Sequence, residues 1–176
     1  MTNENDIKSD SLLIIAGLMA IAARTAPKGR GISNLDIKIA SGEDLEILAK
    51  KMTEISKLHN QAFFERDAKN IRNSTAVILL GVKLNSLGLK YCGLCGFENC
   101  DTKSKNQNFP CTFNNIELGI AIGSAVSVAA THHVDNRIMY TVGMAARELK
   151  IFDDRYKIIM GIAISAENKN IYFDRA

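Results

Sequence analysis

Thr75-Ala76-Val77-Ile78-Leu79-Leu80-Gly81-Val82 is the stretch on which the fold turns. It is an apolar, β-branched run of strand length and reads as the central strand of a sheet. Upstream, Leu35, Ile37 and Ile39 alternate with Asp36 and Lys38, the pattern of a half-buried strand. Between these runs, Ser41-Gly42-Glu43-Asp44 reads as a helix start, and Leu45, Leu48, Ala49, Met52 and Ile55 follow at helical spacing. A weaker helix covers Gln61 to Ile71. At the start of the chain, Asp10 can cap a helix from Ser11 to Arg24 that is apolar nearly all round, which predicts a place deep in the core. Pro27, Gly29 and Gly31 end it and open the loop Ala26-Pro27-Lys28-Gly29-Arg30-Gly31.

Working outward in the other direction, Asn85 to Asn115 breaks every periodicity. A helix follows from about Ile116 to Thr131, with the small residues Gly119, Gly123, Ser127 and Ala130 spaced so that a neighbouring backbone can approach closely. Asp135 is expected to cap another helix running through Leu149. Ile158 to Ile164 reads as a last buried strand, and Asn168 to Ala176 as a tail. The expected fold is α+β: one domain over residues 1–176, a small mixed sheet packed with helices, with 85–115 as an irregular insertion.

Composition narrows the class. The 176 residues are 47% hydrophobic and 23% charged, the balance of a soluble globular chain long enough for a proper core. A formal net charge of +3, with no basic block, gives no footprint for nucleic acid. The apolar run Leu12 to Ala23 is too short to span a bilayer. Ala20-Ile21-Ala22 looks like a signal-peptidase site, but Glu4, Asp6 and Asp10 outweigh Lys8 where a signal peptide is basic. These readings predict a cytoplasmic protein with no membrane or nucleic-acid partner.

The chain has four cysteines, Cys92, Cys95, Cys100 and Cys111, all within the irregular segment and spaced C-x2-C-x4-C-x10-C. In a reducing compartment such clustering points to metal before disulfides. Cys92-Gly93 and Cys95-Gly96 put a glycine after each of the first two, where turns are tightest. N–H groups in such turns can also donate to cluster sulfurs. An iron–sulfur cluster suits one knuckle plus two single cysteines, whereas structural zinc more often uses two knuckles. Zinc stays the alternative, and buried free thiols or disulfides the plain one.

Cys92-Gly93-Leu94-Cys95-Gly96-Phe97-Glu98-Asn99-Cys100 resembles the start of a four-cysteine motif of 4Fe–4S domains, with a nearer fourth cysteine than usual there. The whole chain resembles a family of uncharacterised prokaryotic proteins that contain a ferredoxin domain. That resemblance is carried by Ala23 to Gly31, the cysteine block, Val134-Asp135-Asn136-Arg137-Ile138-Met139-Tyr140, Gly161 to Ser165, and Lys169-Asn170-Ile171-Tyr172-Phe173-Asp174-Arg175. It implies a 4Fe–4S cluster on the four cysteines.

A fainter resemblance is to the FMN-dependent nitroreductase fold. The Ala26–Arg30 loop is similar to a flavin-touching loop there, the small-residue helix from Ile116 to a central helix, and the basic tail to a phosphate-reaching C-terminus. This resemblance implies a homodimer and makes FMN a candidate second cofactor. Glu4, Asp6 and Asp10 stand where that fold carries a phosphate-gripping arginine segment, which counts against FMN.

Arg24, Lys28 and Arg30 are the candidates for holding a flavin or nucleotide phosphate, with Lys169 and Arg175 from the tail; a solvated basic loop is the plain alternative. His132 and His133 read as a polar helix end. Three functions follow as expectations: an iron–sulfur redox protein passing electrons to a redox partner protein, flavin or nucleotide; a non-catalytic module ordered by zinc; or a degenerate flavoenzyme fold that only binds.

Overall fold

The structure is a computed structural model and describes residues 1–173. Helix α1 spans Glu4–Thr25 and is followed by a 3-10 turn at Gly29–Gly31. Strand β1 (Leu35–Ser41), helices α2 (Glu43–His59) and α3 (Ala62–Arg72), and strand β2 (Ala76–Lys83) come next. The cysteine-bearing segment contains only the short helix α4 (Cys100–Ser104). Helix α5 (Thr112–Thr131), strand β3 (Asp135–Met139), helix α6 (Tyr140–Glu148) and strand β4 (Tyr156–Ser165) complete the chain.

The sheet has the order β1-β2-β4-β3. Its pairings are all antiparallel among the described strands, not mixed as expected. The reason lies in the connections. A single crossover helix would deliver a parallel strand. Here two helices, α2 and α3, return the chain to the end from which β1 left, so β2 runs back beside it.

β2 is buried on both faces, which is why it is apolar throughout. Ala76, Ile78, Leu80 and Val82 face a core built with α1 and α5. Val77 and Leu79 face a second core built with α2, α3 and α6. The molecule is thus a helix–sheet–helix sandwich. The approach of α6 to β4 depends on glycine: a Cβ on Gly143 would lie 1.9 Å from the Ile159 carbonyl oxygen, and one on Gly161 would lie 2.2 Å from Val142 Cγ1.

Three expectations are corrected. α1 starts at Glu4, not Ser11, because Asn3 and not Asp10 caps it, and the acidic Glu4 and Asp6 suit the first turn. It is also not deep in the core: Leu12, Ala16, Met19 and Ala23 are buried, while Ile7, Ile14, Leu18 and Ile21 are exposed. Finally, residues 135–139 are not helical. They pair with β4 from Asp135↔Ser165 to Met139↔Gly161, and the helix begins at Tyr140. Asp135, read as a cap, instead accepts a hydrogen bond from Asn170 Nδ2 at 2.9 Å.

α5 is the one described helix long and apolar enough to cross a membrane by length and composition. Leu118, Ala121, Ile122, Ala125 and Ala129 bury one side of it against α1 and the sheet. Gly119, Gly123, Ser127 and Ala130 lie on its other, exposed side, with nothing within 4 Å of a Cβ built on either glycine.

Candidate functional site

The cysteine segment leaves β2 at Lys83 and rejoins the fold at α5. Among its residues Leu87, Lys103 and Cys111 are the buried ones, so polar staples do most of the holding. Asn85 Nδ2 donates to Asn34 Oδ1 at 2.8 Å, and Lys103 Nζ to the Leu84 carbonyl at 2.8 Å. Ser104 Oγ donates to the Cys100 carbonyl at 2.7 Å and accepts from Ser86 Oγ at 2.9 Å.

Cys92 precedes, and Cys95 lies within, a tight turn in which Gly96 N–H donates to the Gly93 carbonyl at 3.0 Å. Gly96 has φ +83°, a left-handed conformation that explains the glycine. Asn99 caps α4, which begins at Cys100. Cys111 is the N-cap of α5: its carbonyl accepts from the Asn114 N–H at 2.9 Å, and Asn114 Oδ1 accepts from the Cys111 N–H at 3.1 Å. The Cys111 side chain thus stands at the N-terminal end of a 20-residue helix. Beside Cys92 a cleft of about 540 Å³ opens, walled by Tyr91, Leu94, Asn99 and Phe113.

All four thiols are free; Cys111 is buried and the others are half-buried. In number and chemistry this donor set fits an iron–sulfur or zinc centre. In geometry it is open: among the described residues no three His, Cys, Asp or Glu side chains are arranged to hold a metal ion. Gathering the sulfurs on one centre requires the segment to close, and metal binding can supply that ordering energy.

The basic loop is its neighbour. Arg30 donates to the Leu87 and Gly88 carbonyls, both at 3.2 Å. Gly29 N–H donates to Glu117 Oε1 at 2.7 Å, and a Cβ on Gly29 would strike Leu87 at 2.7 Å. Lys28 Nζ caps the end of α1, on the carbonyls of Ala23, Arg24 and Ala26 at 3.2, 2.8 and 2.6 Å. Burial, then the Arg24 charge, push the Lys28 ammonium below its usual range, and Glu117 opposes them. Arg24 donates to Leu35 O at 2.7 Å and to Ser33 Oγ at 3.1 Å, and its second fork nitrogen is 3.8 Å from Asp36. All three loop cations are therefore engaged by this chain's own oxygens.

One chain does not bring the tail to this loop. The loop enters β1 at Leu35, opposite Val82, whereas the tail leaves β4 at Ser165, beyond the Ala76↔Ile164 pair. The length of β2, about 23 Å at ~3.3 Å per residue, separates the two ends. Lys169 is exposed at the far end, and Arg175 lies outside the described residues. The tail is held there by Arg137, which donates to the Tyr172 carbonyl and stands 5.5 Å over the Phe173 ring. Tyr172 OH shares a hydrogen bond of 2.9 Å with Ser74 Oγ, and Arg137 also lies 3.9 Å from the buried Asp67, which accepts from Thr141 at 2.8 Å. These contacts explain why the segments 134–140 and 169–173 read as linked motifs. His132 closes α5 as a polar helix end.

Sequence reasoning missed Glu117, Asn114 and Lys103. Glu117 was legible as the one charge in the 112–131 helix, and Asn114 by its N-cap-to-N3 spacing from Cys111. Nothing in the sequence marked Lys103 for burial.

Comparison with known proteins agrees with this architecture. An uncharacterized protein of Archaeoglobus fulgidus is 42% identical over 183 residues, covering 100% of this chain and 98% of its own. The nitroreductase with bound FMN from Desulfitobacterium hafniense DCB-2 superposes with TM-score 0.60 at 13% identity, over 96% of this chain and 80% of its own. The FMN-dependent nitroreductase NfnB of Mycobacterium smegmatis, in complex with NADPH, gives 0.61 at 11% identity, over 91% and 81%. Residues 107–175, which include Cys111 but not the other three cysteines, match the family described as "Uncharacterized protein containing a ferredoxin domain (DUF2148)". This chain, with its four-cysteine segment set into a nitroreductase fold, belongs to that ferredoxin-domain family.

Proposed function

We propose that this protein is an iron–sulfur redox protein in which Cys92, Cys95, Cys100 and Cys111 hold a 4Fe–4S cluster. The observation that carries the reading is four free thiols on one segment that is tied, through Arg30, to a basic loop. The family's ferredoxin domain and the redox fold of its structural neighbours support it. When bound, the cluster supplies one-electron chemistry.

The chain's own residues would do the rest. Asn114 fixes the Cys111 backbone at the start of α5, and the turn at Gly93–Gly96 sets the Cys92–Cys95 pair. Arg30 holds the start of the segment against the loop, so an electron acceptor bound there would lie beside the cysteines. Arg24, Lys28 and Arg30 would receive the phosphate of a flavin or nucleotide by exchanging carbonyl partners for phosphate oxygens. An arriving anion would relieve the charge burden on Lys28.

We infer a homodimer as well. The exposed Ile14, Leu18 and Ile21 of α1 and the uncharged outer side of α5 form an unpartnered face. Pairing two copies through it would also let one copy's Lys169 approach the other's loop. Free thiols suit a reducing, cytoplasmic setting.

The second reading, a zinc-ordered or purely binding module, is favoured by the open arrangement of the cysteines and by the occupied loop cations. Anaerobic purification separates the two. Iron with acid-labile sulfide and a visible absorption band are expected, and Cys95→Ala should remove both. Stoichiometric zinc in a colourless protein would overturn the redox reading. Bound flavin would place the acceptor, and light scattering should give twice the chain mass.

A further inference from the structure

A second cleft lies on the other side of the cysteine segment, between it and the start of β4. Its volume is about 390 Å³, within the range of small-molecule sites. Lys103 lines it and is 2% exposed, yet its Nζ has one partner, the Leu84 carbonyl at 2.8 Å. An ammonium has three donors, and no ion pair to Lys103 exists among the described residues.

The other charges of the cleft do not compensate it. Lys157 has no ion pair among the described residues, and Lys83 Nζ stands 5.1 Å over the Tyr156 ring. Arg155 is consumed by Asp153, with contacts at 2.9 and 2.7 Å. Asp154 is the one carboxylate of the lining, and Asp153 lies outside it. Four cations thus line the cleft with one carboxylate, and the hydroxyls of Ser86 and Ser104 are among the walls. A tether from α4 to Leu84 explains the burial of Lys103 by itself. It does not explain why Lys83 and Lys157, neither of them in an ion pair among the described residues, line the same concave space. A buried ammonium is costly unless an anion or several acceptors share its surroundings.

We propose that this cleft binds the phosphate or pyrophosphate group of a small molecule, with Lys83, Lys103 and Lys157 as its cationic clamp. The site is separate from the Arg24–Arg30 loop.

The test is calorimetric titration of the full chain with inorganic pyrophosphate, with citrate as a control anion of comparable charge. Saturable binding is expected, one pyrophosphate per chain and weaker in higher salt. Lys83→Ala and Lys157→Ala, both at partly or fully exposed positions, should leave the fold intact and weaken binding about tenfold each. Lys103→Met should abolish binding, and circular dichroism will show whether it still folds; the other two variants decide the matter if it does not. The proposal is overturned if pyrophosphate does not saturate, if citrate binds as tightly, or if the Lys83 and Lys157 variants bind unchanged. Loss on Arg30→Gln with no loss on those lysine variants would move the anion to the loop and overturn it equally.

Discussion

The sandwich and the cysteine segment are two parts of one chain with opposite means of support. The sandwich buries Ile78, Leu79, Leu80, Ile162 and Ile164 almost completely and derives its stability from two apolar cores. The segment between β2 and α5 buries one large apolar side chain, Leu87, and leaves Tyr91, Leu94 and Phe109 exposed. Hydrogen bonds of Lys103, Asn85, Arg30 and Ser104 hold it instead. Each such bond contributes about 0.5–1.5 kcal/mol, more where charged, whereas a buried Leu or Ile contributes several. A scaffold that keeps its shape unaided can carry a segment whose order comes from a ligand.

The largest effect is therefore expected in the scaffold. Ile78→Ala should destabilise the protein by about 2–5 kcal/mol, read from the urea midpoint, because β2 is sealed on both faces and cannot collapse around the cavity. A loss below about 1 kcal/mol would break the contrast by showing that the sandwich is loosely packed.

A middle-sized effect belongs to the tail lock. Tyr172→Phe should cost about 1 kcal/mol at neutral pH, from the lost bond to Ser74. Burial raises the Tyr172 hydroxyl above its usual value, with the Ser74 bond partly opposing. The folded chain then keeps the proton to higher pH than the unfolded chain. Stability is complete below pH ~10 and falls as pH rises from there towards the folded value. Thermal midpoints between neutral pH and pH ~11 should show this alkaline loss in the parent and not in the variant; equal slopes would remove Tyr172 as its source.

The smallest effect on the scaffold is expected from removing metal. Chelation should shift the main unfolding transition by no more than about 1 kcal/mol, since the cores do not include the segment. The same treatment should open residues 85–110 to proteolysis. If the whole protein melts on chelation, the segment is part of the cooperative unit and the division drawn here is wrong.

Legibility in the sequence follows the same division. α2, α3, β2 and β4 were readable because their apolar periodicity is produced by burial in one consistent environment. β3 was not: Asp135-Asn136-Arg137 has cap-like chemistry, and only the free edge of β4 makes it a strand. α1 misled for a related reason. Its apolar outer face implies a partner, and composition does not distinguish a core from an interface.

The sequence by itself determined the four-cysteine donor set, its glycine turns and the basic character of the 24–30 loop, because residue chemistry and short spacing are local properties. Tertiary structure alone decided that the loop cations lean on main-chain carbonyls, that Arg30 ties loop to segment, and that the tail lies at the opposite end of the sheet. It alone gathered Lys83, Lys103 and Lys157 around one cleft. Those relations join residues far apart in the chain, and only packing of the sheet brings them together or holds them apart.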